Sequence, residues 1–302
     1  MKFTIVGAGA IGRLWGCKLA EKHQVQFWTR DSTATTLSVD FTPLDSGQEL
    51  KTYHFDTNNT VQLKAANCVL ITVKAFQVQQ AITDITPFLS PGIPVIIMHN
   101  GMGSQQLALQ LLPDNPLLYA TTAQGAFRAD NLLLNHTGLG QTWIGALNPA
   151  GTAYKHLATL LDQVLAPCQW HDDINTPLWQ KLAINCAINP LTAIHQCRNG
   201  ALAKPEFDSQ LDQICNEVAL VMTAEGYPTR GSNLRNLANK VIRATAENFS
   251  SMNQDICQQR TTEIDYITGY LIARAEAHQI QVPVNTRVWQ QIKQLEQNYN
   301  DQ

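Results

Sequence analysis

The stretch that most restricts the fold of this 302-residue chain is KFTIVGAGAIGRLWGCKLA, near its start. Lys2–Val6 is a short β-rich run. Gly7, Ala8, Gly9, Ala10, Ile11 and Gly12 then spell G-x-G-x-x-G, and Leu14, Cys17, Leu19 and Ala20 follow at helical spacing. In that setting each glycine has a task. Gly7 permits a tight turn, Gly9 lets the backbone approach a pyrophosphate, and Gly12 lets a helix pack closely on a strand. The helix N-terminus adds backbone amides and the positive end of a dipole. A bare glycine turn is common, but one set between a strand and a helix predicts a dinucleotide site in a parallel α/β sheet.

The second strand, Gln24–Trp28, is followed by Thr29 and Arg30 rather than by the acid that accepts a ribose 2′-hydroxyl. An arginine there suits a 2′-phosphate and favours NADPH over NADH, although Arg30 also reads as an exposed loop charge and Asp31 stands next to it. Residues 31–66 are polar and hard to assign, with possible strands around Tyr53 and Val61. Residues 68–73 read as a buried parallel strand, with Lys74 at its carboxyl end and an amphipathic helix to Leu89. Ligands of open α/β sheets bind at such ends, which makes Lys74 a candidate cofactor contact. The strand at 94–98 leads into His99-Asn100-Gly101-Met102-Gly103, where Asn100 is a second candidate or part of an Asn-Gly turn. After Leu117–Thr122 comes Gln124-Gly125-Ala126, where a strand end is expected beneath a nicotinamide. A hairpin between 132–134 and 142–144 accounts for His136, Gly138 and Gly140, and a helix at 152–165 and a strand near 167–170 complete a doubly wound sheet with antiparallel additions.

From Asp172 the pattern turns helical, so the expected division is a Rossmann-type domain over 1–171 and an all-helical domain over 172–302. At the start of the second, LWQKLAINCAINPLTA places Lys181, Asn185 and Asn189 four residues apart. Each such step drifts only about 40° around a helix, so an ammonium and two amides form one ridge over two turns. Taken alone, that ridge reads equally as a grip for a small polar oxyacid or as a solvated helix face. Asn199-Gly200 closes the segment with a turn. Ser251 stands near the start of a long helix expected over 255–277, where it offers a hydroxyl to a substrate carboxylate or serves as an ordinary N-cap. Glu263, two turns along that helix, is a surface acid or a ribose contact.

The net charge of −3 argues against a nucleic-acid or anionic-lipid partner and leaves small molecules. The seven scattered cysteines form no C-x-x-C pair, and no signal peptide or membrane span is evident, so a reduced cytoplasm is expected, without metal.

Five strings taken in order, GAGAIG, VKAFQ, HNGMG, WQKLAINCAINPLTA and ENFSSM…RTTEIDYITGY, resemble the ketopantoate reductase family over essentially the whole chain. The resemblance implies NADPH-dependent reduction of 2-dehydropantoate to (R)-pantoate for pantothenate and coenzyme A. It makes Lys181 the general acid, Asn185, Asn189 and Asn199 substrate amides, and Ser251 the carboxylate contact. Residues 7–12, Arg30, Lys74, Asn100, Ala126 and Glu263 then fall at cofactor positions, with Asn100 also close to substrate. Monomer and homodimer both stay open. Two rival readings remain: a reductase of another 2-keto acid or of a phosphorylated ketose, and an NADPH-binding sensor without turnover.

Overall fold

The computed structural model describes residues 1–31, 33–44 and 49–298. They form two compact units: Met1–His99 with Ser104–Ile174, and Asn100–Gly103 with Asn175–Gln302.

The first unit is built on strands β1 (Lys2–Val6), β2 (Gln24–Trp28), β3 (Thr36–Thr42), β4 (Lys51–Thr57), β5 (Cys68–Ile71), β6 (Val95–Met98), β7 (Leu117–Thr122), β8 (Gly125–Arg128), β9 (Leu133–Gly138), β10 (Thr142–Ala146) and β11 (Cys168–Trp170). Its helices are α1 (Ala10–Ala20), α2 (Thr60–Lys64), α3 (Val78–Ile85), α4 (Gln105–Leu111) and α5 (His156–Asp162). One sheet runs β11-β10-β7-β6-β5-β1-β2-β4-β3-β9-β8. β1 lies between β2 and β5, parallel to both, with Val6 opposite Trp28 and Ile71. The chain builds outward from β1 through β2 and β4, then returns to the other side for β5, β6 and β7. The carboxyl end of β1 is therefore the switch point where such sheets take their ligands. β5, β6 and β7 are buried along their whole length, as parallel strands covered on both faces must be, which is why they read as unbroken apolar runs.

Helix α1 packs on β1, β2 and β3 and also against β8 and β9, so Leu14, Trp15, Cys17 and Leu19 are all fully enclosed. The hairpin expected between 132–134 and 142–144 does not form. β9 pairs with β8 and β3, while β10 pairs with β7 and β11. A Cβ at Gly140 would stand 2.1 Å from the Ala123 carbonyl oxygen, so this segment lies flat on the turn after β7 instead of folding back. Around Val61 the chain is helical rather than extended, because Asn59 caps α2 by accepting from the Gln62 amide at 3.0 Å.

The second unit contains α6 (Asn175–Ile194), α7 (Asp208–Ala224), α8 (Gly231–Ala244), α9 (Ser251–Cys257), α10 (Thr268–Ala277) and α11 (Pro283–Gln297). The stretch WQQIKQLEQNYNDQ, whose polar composition reads as a helix that fades out, forms the end of α11 as far as Gln297, and its last four residues, 299–302, lie outside the described residues. The single helix expected over 255–277 is broken into α9, a 3-10 turn at Ile264–Tyr266, and α10. Gln259 takes φ +51°, Arg260 N–H bonds back to Asp255 O at 2.8 Å, and Gln259 N–H bonds to Ile256 O at 3.0 Å. That is a left-handed helix stop with glutamine in the place glycine usually holds. Glu263 therefore stands in a loop, not on a helix face.

α11 is anchored by Glu217 of α7, a buried carboxylate that accepts from Val284 N at 2.9 Å, Asn285 N at 2.9 Å and Asn285 Nδ2 at 2.8 Å. A negative charge at a helix N-terminus satisfies orphan amides and opposes the positive dipole end. Glu217→Gln keeps one acceptor oxygen but loses the charge, and urea unfolding should show about 1–2 kcal/mol lost. An unchanged midpoint would show that the amides find other acceptors.

Among the described residues no helix is long and apolar enough to cross a membrane, and no group of three or more His, Cys, Asp or Glu could hold a metal ion.

Candidate active site

At the switch point, Gly7 takes φ +102°, a conformation that L side chains rarely adopt, and a Cβ there would come 2.7 Å from Val73 Cγ1. A Cβ on Gly12 would lie 2.2 Å from Gly7 O and 2.4 Å from Thr72 Oγ1, so only glycine lets α1 approach this closely. Thr72 completes the turn, donating through its hydroxyl to Gly7 O at 3.0 Å and through its amide to Val6 O at 2.8 Å. Beside Gly9 a Cβ would meet nothing within 4 Å. A tight turn, a close helix and open space at the middle glycine are the arrangement a pyrophosphate needs at a helix N-terminus, so these residues fit a dinucleotide.

The other cofactor candidates of this unit are placed as follows. Arg30 is exposed, two residues beyond β2. Lys74 is half-buried, three residues after β5, with Nζ 5.8 Å from the centre of the Phe76 ring. Ala126 lies inside β8 opposite His136, at a bulge in the β8–β9 register, so it belongs to a strand and not to a loop beneath one. His136, expected to be turn furniture, is buried on β9, its Nε2 3.2 Å from Gln124 Oε1, and burial holds its pKa below the usual value.

In the helical unit, the ridge on α6 is no solvated face. Asn185 is 9% and Asn189 8% exposed, and Lys181 is half-buried. Burial pushes the Lys181 ammonium down to about 8, and the Glu263 carboxylate, which favours the charged form, offsets part of that fall. Glu263 is itself buried, and its Oε2 accepts from Asn100 Nδ2 at 3.2 Å. Asn100 is held there because Met102 N–H donates to Tyr266 O at 2.8 Å. Lys181, Glu263 and Asn100, far apart in sequence, thus form one electrostatic group.

Asn199 is 7% exposed; its amide donates to Asn248 O at 2.9 Å and its Nδ2 to Thr245 Oγ1 at 2.8 Å. Asn185 Nδ2 and Asn199 Oδ1 are buried and have no hydrogen-bond partner. Such atoms each cost about 1–3 kcal/mol unless a ligand or water engages them, which makes both candidate ligand contacts, although Trp15 Nε1, Thr121 Oγ1 and Asn285 Oδ1 are unsatisfied in the same way. Ser251 is exposed at the first residue of α9, whereas the cap is Ser250, whose Oγ accepts from Asn253 N at 3.0 Å and from Thr192 Oγ1 of α6 at 2.7 Å. The sequence therefore pointed to the correct turn but not to the serine that caps it. The pairing of Glu263 with Lys181 carried no local signal, since 82 positions separate the two.

A glycine turn at the switch point of an open sheet, and a lysine-amide set on a helical unit, fit the class of Rossmann-type oxidoreductases. The family model for Ketopantoate reductase PanE/ApbA matches residues 3–149, and that for the Ketopantoate reductase PanE/ApbA C terminal matches residues 173–296. The 2-dehydropantoate 2-reductase of Vibrio cholerae serotype O1 is 43% identical over 302 residues, 99% of each chain. That of Escherichia coli O157:H7 is 41% identical over 300 residues, 99% of this chain and 96% of the other. The chain belongs to the ketopantoate reductase family. Among solved structures, a PanE/ApbA family ketopantoate reductase from Ralstonia eutropha JMP134 superposes with a TM-score of 0.86 at 25% identity, covering 99% of this chain and 100% of that one. A D-mandelate dehydrogenase, solved with NADH and anilino(oxo)acetate, shares the fold with a TM-score of 0.89 at 20% identity over 99% of each chain.

Proposed function

We propose that this protein reduces 2-dehydropantoate to (R)-pantoate with NADPH, in the route to pantothenate and coenzyme A, and that Lys181 is the proton donor. The observation that carries this reading is the buried ridge, where an ammonium lowered to about 8 stands beside an Asn185 amide that no protein group satisfies. When bound in the glycine turn, the nicotinamide cofactor supplies the hydride.

The side chains of this chain do the rest. Lys181 faces the keto oxygen, stabilises the negative charge that develops there and gives it a proton from Nζ. Asn185, Asn189 and Asn199 read the hydroxyl and keto oxygens and fix orientation, and the Ser251 hydroxyl takes the carboxylate. Asn100, through Glu263, keeps a carboxylate near Lys181 so that the lysine is protonated before each turnover. Lys181 then recovers its proton from water. Residues 7–12, Arg30, Lys74, Asn100, Ala126 and Glu263 are assigned to the cofactor. A substrate panel scored by loss of NADPH absorbance tests the assignment: 2-dehydropantoate should be strongly preferred, and equal turnover of pyruvate or 2-ketoisovalerate refutes it.

Because the acid form of Lys181 is the working form, kcat for reduction should fall as pH rises through about 8, and pantoate oxidation should gain over the same range. The Glu263 charge raises the lysine pKa, so Glu263→Gln should move this limb to lower pH. A limb that stays in place removes Glu263 from the assignment.

Arg30 supplies the preference for the 2′-phosphate. Arg30→Ala should weaken NADPH binding by about 10–100-fold, the worth of a charge-assisted contact, and leave NADH binding unchanged. Equal losses for the two cofactors in a fluorescence titration would refute the contact.

A further inference from the structure

We propose that Arg13 is a positioning residue for the glycine turn, setting the direction in which the Gly9 amide meets the dinucleotide pyrophosphate; this rests on the NADPH binding inferred above. Arg13 directly follows Gly12 in the first turns of α1 and is 5% exposed. Its Nε donates to Ala8 O at 2.9 Å and its Nη1 to Asn131 O at 2.6 Å. Among the described residues it forms no ion pair. Burial and the charge of Arg128 lower its pKa, so the fold holds this cation at a cost.

A buried arginine used only for packing has no need to hold two carbonyls on separate segments. Asn131 is a firm anchor, because it sits in the turn between β8 and β9 where Asp130 Oδ1 accepts from Leu132 N and Leu133 N, both at 2.7 Å. Arginine's planar fork carries that rigidity to Ala8. The Ala8–Gly9 peptide is planar, with its carbonyl and N–H pointing in opposite directions, so fixing Ala8 O also fixes Gly9 N–H. That amide belongs to the one fingerprint glycine beside which a Cβ would meet open space. Without Arg13 the peptide plane can rotate, and the amide no longer waits in position for a phosphate oxygen.

The test compares three ligands on the full-length protein by calorimetric titration: NADPH, 2′-phospho-ADP-ribose and 2′-AMP. The first two carry the pyrophosphate and the third does not. Arg13→Met should weaken the first two by about tenfold and leave 2′-AMP within about twofold, with the urea midpoint recorded alongside. Arg13→Lys should show the same selective loss, because one ammonium cannot bond both carbonyls in the fixed geometry. Equal weakening of all three ligands overturns the proposal in favour of long-range charge or a damaged fold, and wild-type binding by either variant overturns it as well. If the wild-type protein itself fails to bind NADPH, the cofactor reading falls too. If wild type binds NADPH and 2′-phospho-ADP-ribose normally, only the role of Arg13 is at stake.

Discussion

Replacing Lys181 with alanine should lower kcat for reduction by about 10³-fold, within the usual range for loss of a general acid, while the NADPH dissociation constant stays within about threefold of wild type. Two contributions add. With its pKa brought down to about 8, Lys181 is still mostly protonated at neutral pH, yet it gives up its proton more readily than an ordinary lysine. The same ammonium lies in a half-buried site, where a positive charge acts more strongly on a developing alkoxide than it would in water. Alanine removes both and leaves Asn185 and Asn189 to hold substrate, so KM should move far less than kcat. The alkaline limb near pH 8 should also vanish from the residual rate. Stopped-flow turnover and equilibrium NADPH titration on one preparation separate these quantities. Unchanged reduction would remove the lysine from the mechanism, and a parallel loss of NADPH binding would place it in cofactor binding instead. Retained NADPH binding without turnover in the wild-type protein would favour the sensor reading.

How much of this was legible in the sequence depends on how local each constraint is. The glycine turn was legible because Gly7, Gly9 and Gly12 answer to steric demands within a few residues and one strand. The parallel core was legible because β5, β6 and β7 are covered on both faces and therefore read as continuous apolar runs. The end of α9 was not, since its stop uses Gln259 at positive φ and no glycine announces it. Nor was the choice between Ser250 and Ser251: both can cap, and Thr192, 58 positions earlier, selects Ser250 by hydrogen bonding to it. The ridge itself shows the same limit. Spacing placed Lys181, Asn185 and Asn189 on one line, but a line of polar groups has the same period whether it faces water or a buried site. Only the packing of the unit distinguishes the two, and it leaves Asn185 with an unsatisfied amide.

The segment at Asn100–Gly103 carries the second large prediction. Gly101 takes φ +83°, and a Cβ there would stand 2.3 Å from Tyr266 O and 2.7 Å from Tyr266 C, both backbone atoms. Gly101→Ala therefore meets two penalties at once. A left-handed conformation costs an L-residue roughly 1–2 kcal/mol, and overpacking against backbone that cannot rotate away costs about 1–3 kcal/mol more. The cheapest relief is for the segment to lift off the 264–266 turn, which breaks the bond from Met102 N to Tyr266 O and draws Asn100 away from Glu263. Glu263 then loses its bond from Asn100, one of the contacts that position it, so stability and chemistry should fail together. Urea unfolding should show about 2–5 kcal/mol lost. In the fraction that remains folded, kcat should fall by about tenfold or more, because the charge that keeps Lys181 protonated is misplaced. Gly103→Ala is the control. It too stands at positive φ, +107°, but the atoms nearest its Cβ would be side-chain ones, the ring of Tyr270 at 3.2 Å and Tyr266 Cδ1 at 3.9 Å, and a side chain can give way where a carbonyl cannot. It should pay the conformational cost alone and keep kcat near wild type. If both variants lose the same activity, the contact with Tyr266 is not what holds Asn100 to Glu263.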